Sequence, residues 1–367
     1  MKVLFWAERF LPDIGGVEVL AGHLLPVLRE RYGHEIEVVC ASAAATGSDD
    51  QWCGFPVHRL PFHGALLSRR LETISRLRRS VRTLVERFDP DLIHLNTGQP
   101  SLFFMGRGFA KPLIYTGHEP VLAKGPNSLL GRTLRASTFV TAVSRAVLGD
   151  LIRLCPSVED RSVVVPCGLP IPLAKPCRAP VSPAHFFCVG RVVKGKGFDL
   201  AIRALAAVLA SGRQAKLSIV GEGTALPGLR RLAIEVGIEP AVSFLGRVPP
   251  TQVASLLCQG TAVVVPSRIP EALGLVVLEA ALLRRPAIAA RTGGLPEVIR
   301  EGESGLMFAV ESVPELADRM SELIDSPELV ERLGEQARLR AMREYSLEKC
   351  AGDYDRAYSS VGRNLDP

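Results

Sequence analysis

No apolar run in this chain approaches the roughly 20 residues needed to span a bilayer. The longest candidate, Ala272 to Leu283, is interrupted by Glu279. The beginning lacks the apolar stretch of a secretion signal, because Glu8 and Arg9 cut off Val3-Leu4-Phe5-Trp6, and the segment reads as a first strand. Cys-x-x-Cys pairs are missing, and no histidine stands at zinc-ligand spacing from two cysteines. Eight cysteines in 367 residues are too few for a disulfide scaffold and read as reduced thiols in a cytosolic protein. No acidic cluster of metal-binding pattern is visible, so no metal site and no cofactor are expected. No G-x-G-x-x-G triplet opens a first helix, which argues against a dinucleotide oxidoreductase.

What is present is an ordinary globular composition, 47% apolar and 22% charged, long enough for two domains. The net charge of +6 is uneven, with +5 in residues 1–175 and +1 in the rest. Short apolar runs alternate with longer amphipathic stretches. Lys2 to Trp6, Glu35 to Cys40, Leu92 to Leu95, Leu113 to Thr116 and Phe139 to Val143 read as strands, and Val17 to Tyr32 as a helix. Six prolines in residues 166–183 exclude helix and sheet interiors there. The same alternation then restarts. Strands are expected at His185–Val189, Leu217–Val220, Val242–Leu245, Ala262–Val265 and Ala287–Ala290. Helices are expected at Leu200–Ala210, near Pro227–Val236, from Val313 to about Tyr345, and over Leu347–Ser359. Repeated βαβ units imply parallel sheets covered by helices. The pattern predicts a domain over 1–170, a proline-rich linker over 171–184, and a second domain over 185–346. A cleft between two such halves is where ligands are expected.

Four segments carry chemistry. Gly190-Arg191-Val192-Val193-Lys194-Gly195-Lys196-Gly197 begins like a phosphate-binding loop, but Gly197 stands where the Mg²⁺-binding hydroxyl would be needed. What remains is a pair of cations, Arg191 and Lys196, suited to a phosphate or to plain solvation. Glu271-Ala272-Leu273-Gly274-Leu275-Val276-Val277-Leu278-Glu279 follows a buried strand, and Pro270 places the helix start near Gly274. The free amides there suit an anion. Glu279, amid apolar neighbours, needs a reason to be charged. Most of eight residues at about 1.5 Å rise separates it from Glu271 by roughly 10 Å, too far to flank one glycosidic bond but right for opposite ends of a longer ligand. Gly15-Gly16 after the first strand allows close backbone approach or a tight turn. His118 stands at the C-terminal end of a strand, a position that points toward the cleft, and reads either as a site residue or as a satisfied structural histidine.

Together these segments resemble the family 4 glycosyltransferases of the retaining, GT-B type, over nearly the whole chain. The E-x7-E element is similar to Glu271…Glu279, and G-R-x4-K-G to Gly190-Arg191…Lys196-Gly197. Also similar are Gly15-Gly16-Val17-Glu18, Ile219-Val220-Gly221-Glu222-Gly223, Phe244-Leu245-Gly246 and Thr292-Gly293-Gly294-Leu295-Pro296-Glu297. The resemblance implies two Rossmann-like, doubly wound parallel-sheet domains facing across a cleft, with the final helix (347–367) crossing back to the first. It implies that Gly190, Arg191 and Lys196 meet the diphosphate of a nucleotide-sugar donor, a UDP-sugar first, and that Glu279 holds its ribose. Glu271 and His118 would contact the donor sugar. The amides of Gly274 and Leu275 would cap the distal phosphate, Gly15 and Gly16 would approach from the first domain, and backbone near Val248 would read the base. The chain departs from the family at Ala272-Leu273, Cys167 and Glu119, positions touching sugar identity, the hinge and the acceptor side.

The activity implied is transfer of a hexose, with retention and without metal, to an unidentified hydroxyl of a small molecule, glycan or lipid-linked acceptor bound near residues 41–75 and 119–135. An epimerase or phosphorylase on the same scaffold, or a non-catalytic binder of nucleotide sugars, stays open. Residues 65–88 hold seven arginines against Glu72 and Glu86, with Leu66, Leu67, Leu71, Ile74, Leu77, Val81 and Leu84 as an apolar stripe. This reads as one amphipathic helix, either packed on the sheet with a solvated basic face or touching an anionic membrane. No aromatic residue interleaves with those arginines, so nucleic acid is not an expected partner. A cytoplasmic location follows, with peripheral contact at the inner membrane face as an option.

Overall fold

The computed structural model of the protein describes all residues except 14, 43–47, 98–99, 106–110, 123–124, 173–182 and 364–367. Most of the expected linker therefore lies outside the described residues. The chain divides into two compact units, Met1–Gly168 with Leu347–Pro367, and Leu169–Ser346.

The first unit runs β1 (Lys2–Trp6), α1 (Gly16–Tyr32), β2 (Glu35–Ala41), β3 (Ser48–Trp52), β4 (Phe55–Leu60), α2 (Phe62–Ser68), α3 (Leu71–Phe88), β5 (Leu92–Leu95), β6 (Leu113–Gly117), α4 (Leu129–Ala136), β7 (Phe139–Ala142), α5 (Arg145–Leu154) and β8 (Ser162–Val164). Its sheet has the order β3-β4-β2-β1-β5-β6-β7-β8. Val3 pairs with Ile36 on one side and Leu92 on the other. Val3 to Trp6 are fully buried, as a central parallel strand with helices on both faces requires. α1 ends at Gly33, in the left-handed region (φ 69°), where Gly33 N donates to Arg29 O and His34 N to Leu28 O. Side chains of Ser128 and Ser144 cap α4 and α5 by accepting from Gly131 N and Val147 N.

The second unit runs β9 (Ala184–Val189), α6 (Phe198–Ala210), β10 (Ala215–Val220), α7 (Leu226–Glu235), β11 (Val242–Gly246), α8 (Pro250–Leu257), β12 (Ala262–Val265), α9 (Leu275–Leu282), β13 (Ala287–Ala290), α10 (Leu295–Val298), β14 (Gly305–Phe308), α11 (Val313–Asp325) and α12 (Pro327–Glu344). Its strands are all parallel, in the order β11-β10-β9-β12-β13-β14. The last helix, α13 (Leu347–Arg363), belongs to the first unit, where Tyr354 and Tyr358 enter the core beside Phe5 and Ile114.

Three expectations need correction. Residues 65–88 are two helices, because Arg69 adopts a left-handed conformation (φ 53°) that ends α2 before α3 begins. The helical stretch after Val313 breaks at Ser326, whose side chain accepts from Leu329 N while Pro327 occupies the first helical position, a start signal rather than a continuation. The first sheet is not wholly parallel: β3 pairs antiparallel with β4 through a two-residue turn, Cys53 (φ 47°) and Gly54 (φ 78°), the two positive φ values of a tight hairpin. Strands β3, β4, β8 and β14 carry too little periodic pattern to stand out from sequence. Among the described residues no helix is long and apolar enough to cross a membrane.

Candidate nucleotide-sugar site

In each sheet the winding reverses beside the first strand of the unit. β1 lies between β2 and β5, and β9 lies between β10 and β12. Connections diverge from such a point, and the carboxyl ends of the two flanking strands leave a crevice where ligands bind in doubly wound folds.

In the second unit this crevice is lined by the turn after β9 and the loop after β12. Lys196 Nζ spans it, donating to Glu271 Oε1 at 2.7 Å, and both side chains are largely shielded. Ser267 Oγ donates to the same Glu271 oxygen. The two loops are fastened below the pair. Arg268 N donates to Gly195 O at 2.9 Å, and the Arg268 guanidinium forks onto Asp199, Nη1 to Oδ1 and Nη2 to Oδ2, both at 2.7 Å. Burial pushes the Asp199 carboxyl up, and the guanidinium overrides it and holds it below the usual range. Backbone contact explains the glycines. A Cβ on Gly197 would stand 1.9 Å from Pro266 O, and one on Gly293 would stand 2.2 Å from Glu271 O. Both residues have positive φ, so an alanine would meet strain as well as collision. Gly294 N donates to Glu271 O at 2.8 Å, gripping the backbone of the residue whose side chain holds Lys196.

Arg191, at the mouth of the same turn after Gly190, is exposed, and its guanidinium makes no ion pair or hydrogen bond among the described residues. The two expected cations are thus in different states, one paired and one free. Gly274 (φ 98°) caps α9, and Leu275 is its first residue. Glu279 lies in the second turn of α9, half-buried, without a hydrogen-bond or ionic partner among the described residues. Burial raises its carboxyl to about 7, so it sits on the edge of ionisation at neutral pH. Val248 follows β11 in the connection to α8, half-buried.

Gly15 and Gly16 open α1, with a Cβ on Gly15 falling 2.2 Å from Glu18 Oε2. His118 follows β6, and its Nε2 lies 2.6 Å from Asn96 Oδ1, so the ring donates there. Burial lowers His118 to about 4, leaving a neutral ring at pH 7. Behind it His94 is completely buried. Its Nδ1 lies 2.7 Å from Tyr358 Oη and its Nε2 2.7 Å from Thr116 Oγ1, which also meets Thr141 Oγ1 at 2.6 Å. Burial first, then the nearby His118, lowers His94 to about 3. Hydroxyl groups that can donate or accept satisfy both ring nitrogens without a second ring proton.

Sequence reasoning passed over Ser267, Arg268 and Asn96. The first two stand in the turn just before Glu271, and Asn96 is the first polar residue after a buried strand, a position that opens on the crevice. These were the available signals.

Residues 175–340 match the family described as Glycosyl transferases group 1, and residues 14–172 match Glycosyltransferase Family 4. The chain is 31% identical over 285 residues to a D-inositol 3-phosphate glycosyltransferase of Frankia alni, covering 68% of this chain and 70% of that one. It is 34% identical over 174 residues to the alpha-D-kanosaminyltransferase of Streptomyces kanamyceticus, covering 47% of this chain and 45% of that one. It is 32% identical over 265 residues to a D-inositol 3-phosphate glycosyltransferase of Acidothermus cellulolyticus, covering 63% and 58%. The matches thus span about half the length of these last two curated relatives. Among solved structures, Anabaena HepE in complex with UDP and glucose superposes with a TM-score of 0.76 at 20% identity, covering 98% of this chain and 100% of that one. Sucrose-phosphate synthase from Thermosynechococcus elongatus superposes with a TM-score of 0.79 at 19% identity, covering 99% of each. At such identity the likeness shows the fold, which is GT-B. With two adjoining family matches from residue 14 to residue 340, and a relative 31% identical over most of its length, the chain belongs to the family 4 glycosyltransferases.

Proposed function

We propose that the protein transfers a hexose from a nucleoside-diphosphate sugar, a UDP-sugar first among them, to a hydroxyl acceptor, with retention at the anomeric carbon and without a metal ion. The observation that carries this reading is the Lys196–Glu271 pair, 2.7 Å apart across the β9/β12 crevice, with the unpartnered Arg191 at its mouth. A diphosphate is a better partner for these cations than water. Its entry would give Arg191 a bidentate acceptor, place Lys196 between two anions and leave Glu271 a free oxygen for a sugar hydroxyl. UDP stands first because several structural neighbours were solved with UDP or UDP-glucose.

Each remaining contact has a physical rationale. The amides of Gly274 and Leu275 head α9 and would cap the distal phosphate. Glu279, unpartnered and raised to about 7, would accept from the ribose hydroxyls, which stabilises its charged form. Backbone near Val248 would read the base, and Gly15 and Gly16 would approach the phosphates. His118, neutral and with Nε2 committed to Asn96, offers Nδ1 as an acceptor to a donor-sugar hydroxyl.

In the reaction the bond from the anomeric carbon to the β-phosphate oxygen breaks. The acceptor oxygen bonds to that carbon from the same face, and its proton passes to the departing phosphate oxygen. Charge develops on the leaving diphosphate, where Arg191, Lys196 and the α9 amides would stabilise it. We place this activity in the cytoplasm, where nucleotide sugars are available.

Thermal stabilisation by UDP-, GDP-, ADP- and dTDP-sugars in the presence of EDTA tests the proposal. A shift with one nucleotide series, growing with ligand concentration, is the expected result. Absence of a shift with every series overturns it.

A further inference from the structure

The two most exposed large hydrophobic residues among the described ones are neighbours. Leu67 is 82% exposed and Leu71 83% exposed, and both stand at the corner where α2 gives way to α3. Scattered exposed leucines are ordinary, whereas two on one corner are not. The corner is held by Arg69 in a left-handed conformation that glycine or asparagine would adopt at less cost. An arginine kept there keeps a charge there.

The apolar stripe of α3 explains how the leucines come to be exposed. Leu77, Val81, Val85 and Phe88 are buried against the first unit, Ile74 is half-buried, and Leu71 is bare. Residues 71, 74, 77, 81, 85 and 88 follow helical three- and four-residue steps, so one stripe runs past the end of the core beneath it. Arginines surround the overrun. Arg69, Arg70 and Arg82 have no acidic partner among the described residues. Arg78 lies over the ring of Phe103, 4.4 Å from its centroid, and donates to Phe103 O, and Phe103 is itself 38% exposed. Of the two acidic residues in the stretch, Glu72 is paired with Arg76 at 2.8 Å.

Exposed leucines ringed by unpaired arginines match one partner, the surface of an anionic bilayer: acyl chains take the leucines and headgroup phosphates take the guanidinium groups. The geometry points to the α2–α3 corner as a membrane-docking face, with Leu67 and Leu71 inserted and Arg69, Arg70, Arg78 and Arg82 at headgroup level. This goes beyond the transfer reaction and does not depend on it.

The test is co-sedimentation of the full chain with vesicles of phosphatidylcholine alone and of phosphatidylcholine with phosphatidylglycerol. The wild type is expected to pellet with the anionic vesicles, with binding falling about tenfold at high salt as the arginine contribution is screened. L67E/L71E should lose at least tenfold in binding, and R69E/R70E should lose the preference for anionic lipid. All four side chains are exposed, so both variants should keep the wild-type melting temperature and the wild-type shift with UDP-sugars. K196A should pellet as wild type does even if donor binding is gone, which separates failure of this inference from failure of the donor site. A wild type that stays in solution with both vesicle types overturns the inference, whether or not the corner captures a polyanion or a protein. So does L67E/L71E pelleting like wild type.

Discussion

The two crevices beside β1 and β9 are built on the same winding yet differ in chemistry. Beside β9 the groups are charged and near the surface: Lys196 on Glu271, Arg268 forked onto Asp199, and a free Arg191. On β5 and after β6 two histidines are neutral and sunk, His118 on Asn96 and His94 between Tyr358 and Thr116, while Glu8, just after β1, meets His63 Nε2 at 2.6 Å. The difference has a cause in packing. The first unit lays α13 against the strand that carries His94, and a fully buried ring there does not take the second proton that would charge it. In the second unit the loops themselves line the crevice, glycine lets their backbones touch, and the charged ends stay within reach of solvent. The scaffold thus supplies a place, and the residues at the strand ends decide which charges and hydrogen-bonding groups it offers.

The sharpest way to break this comparison is to remove a charge on one side and a neutral donor–acceptor on the other. Lys196→Ala should lower kcat/KM by about 100- to 1000-fold, the usual loss when a group stabilising a leaving oxyanion is deleted. His118→Asn should cost less, about tenfold, because one hydrogen bond to a neutral group is at stake. Steady-state rates against a responsive acceptor, or donor hydrolysis in its absence, would read both. Equal losses would erase the distinction between the crevices.

The two sides should also respond to pH with opposite sign. In the first unit the folded His94 titrates at about 3, below the unfolded value of 6.5. Its stabilisation is complete above pH 6.5 and is lost as pH falls, because the unfolded chain takes the proton first. Between pH 6.5 and 4 that loss is on the order of 3 kcal/mol. In the second unit the folded Glu279 titrates at about 7, above its unfolded value of 4.5. Its contribution is most favourable below pH 4.5 and declines as pH rises through 7, by on the order of 3 kcal/mol. Glu279→Gln should therefore raise the melting temperature at pH 8 while leaving it unchanged at pH 4.5. The same variant should weaken UDP-sugar binding, and in the wild type that binding should tighten from pH 6 to pH 8. A melting profile of E279Q parallel to wild type across this range would remove Glu279 from the account.

The smallest expected effect is at the neutral network. Tyr358→Phe leaves His94 Nδ1 without its partner in a dry site and should cost about 1–3 kcal/mol in stability. Donor affinity should stay unchanged, since Tyr358 meets His94 and is none of the proposed donor contacts. A changed donor Kd in Y358F would show the two sides to be coupled.

The sequence by itself determined the alternation of buried strands and amphipathic helices, and with it two parallel-sheet units of the GT-B type. It also placed Arg191, Lys196 and Glu271 in the loops after strands and Glu279 inside the helix that follows, because apolar runs and the turns that stop them are local signals. Tertiary structure alone decided the rest. The β3–β4 hairpin carries its signal in φ rather than in hydrophobic period, and the break at Arg69 sits in a residue with no turn propensity of its own. That Lys196 is paired while Arg191 is free depends on loops 75 residues apart meeting across β9 and β12. The glycines at 197 and 293 are needed because of a carbonyl elsewhere in the chain. The neutral state of His94 depends on a tyrosine 264 residues away. Periodicity reports which face of an element is buried. What lies against that face, and therefore which charges survive there, is set only when distant segments pack.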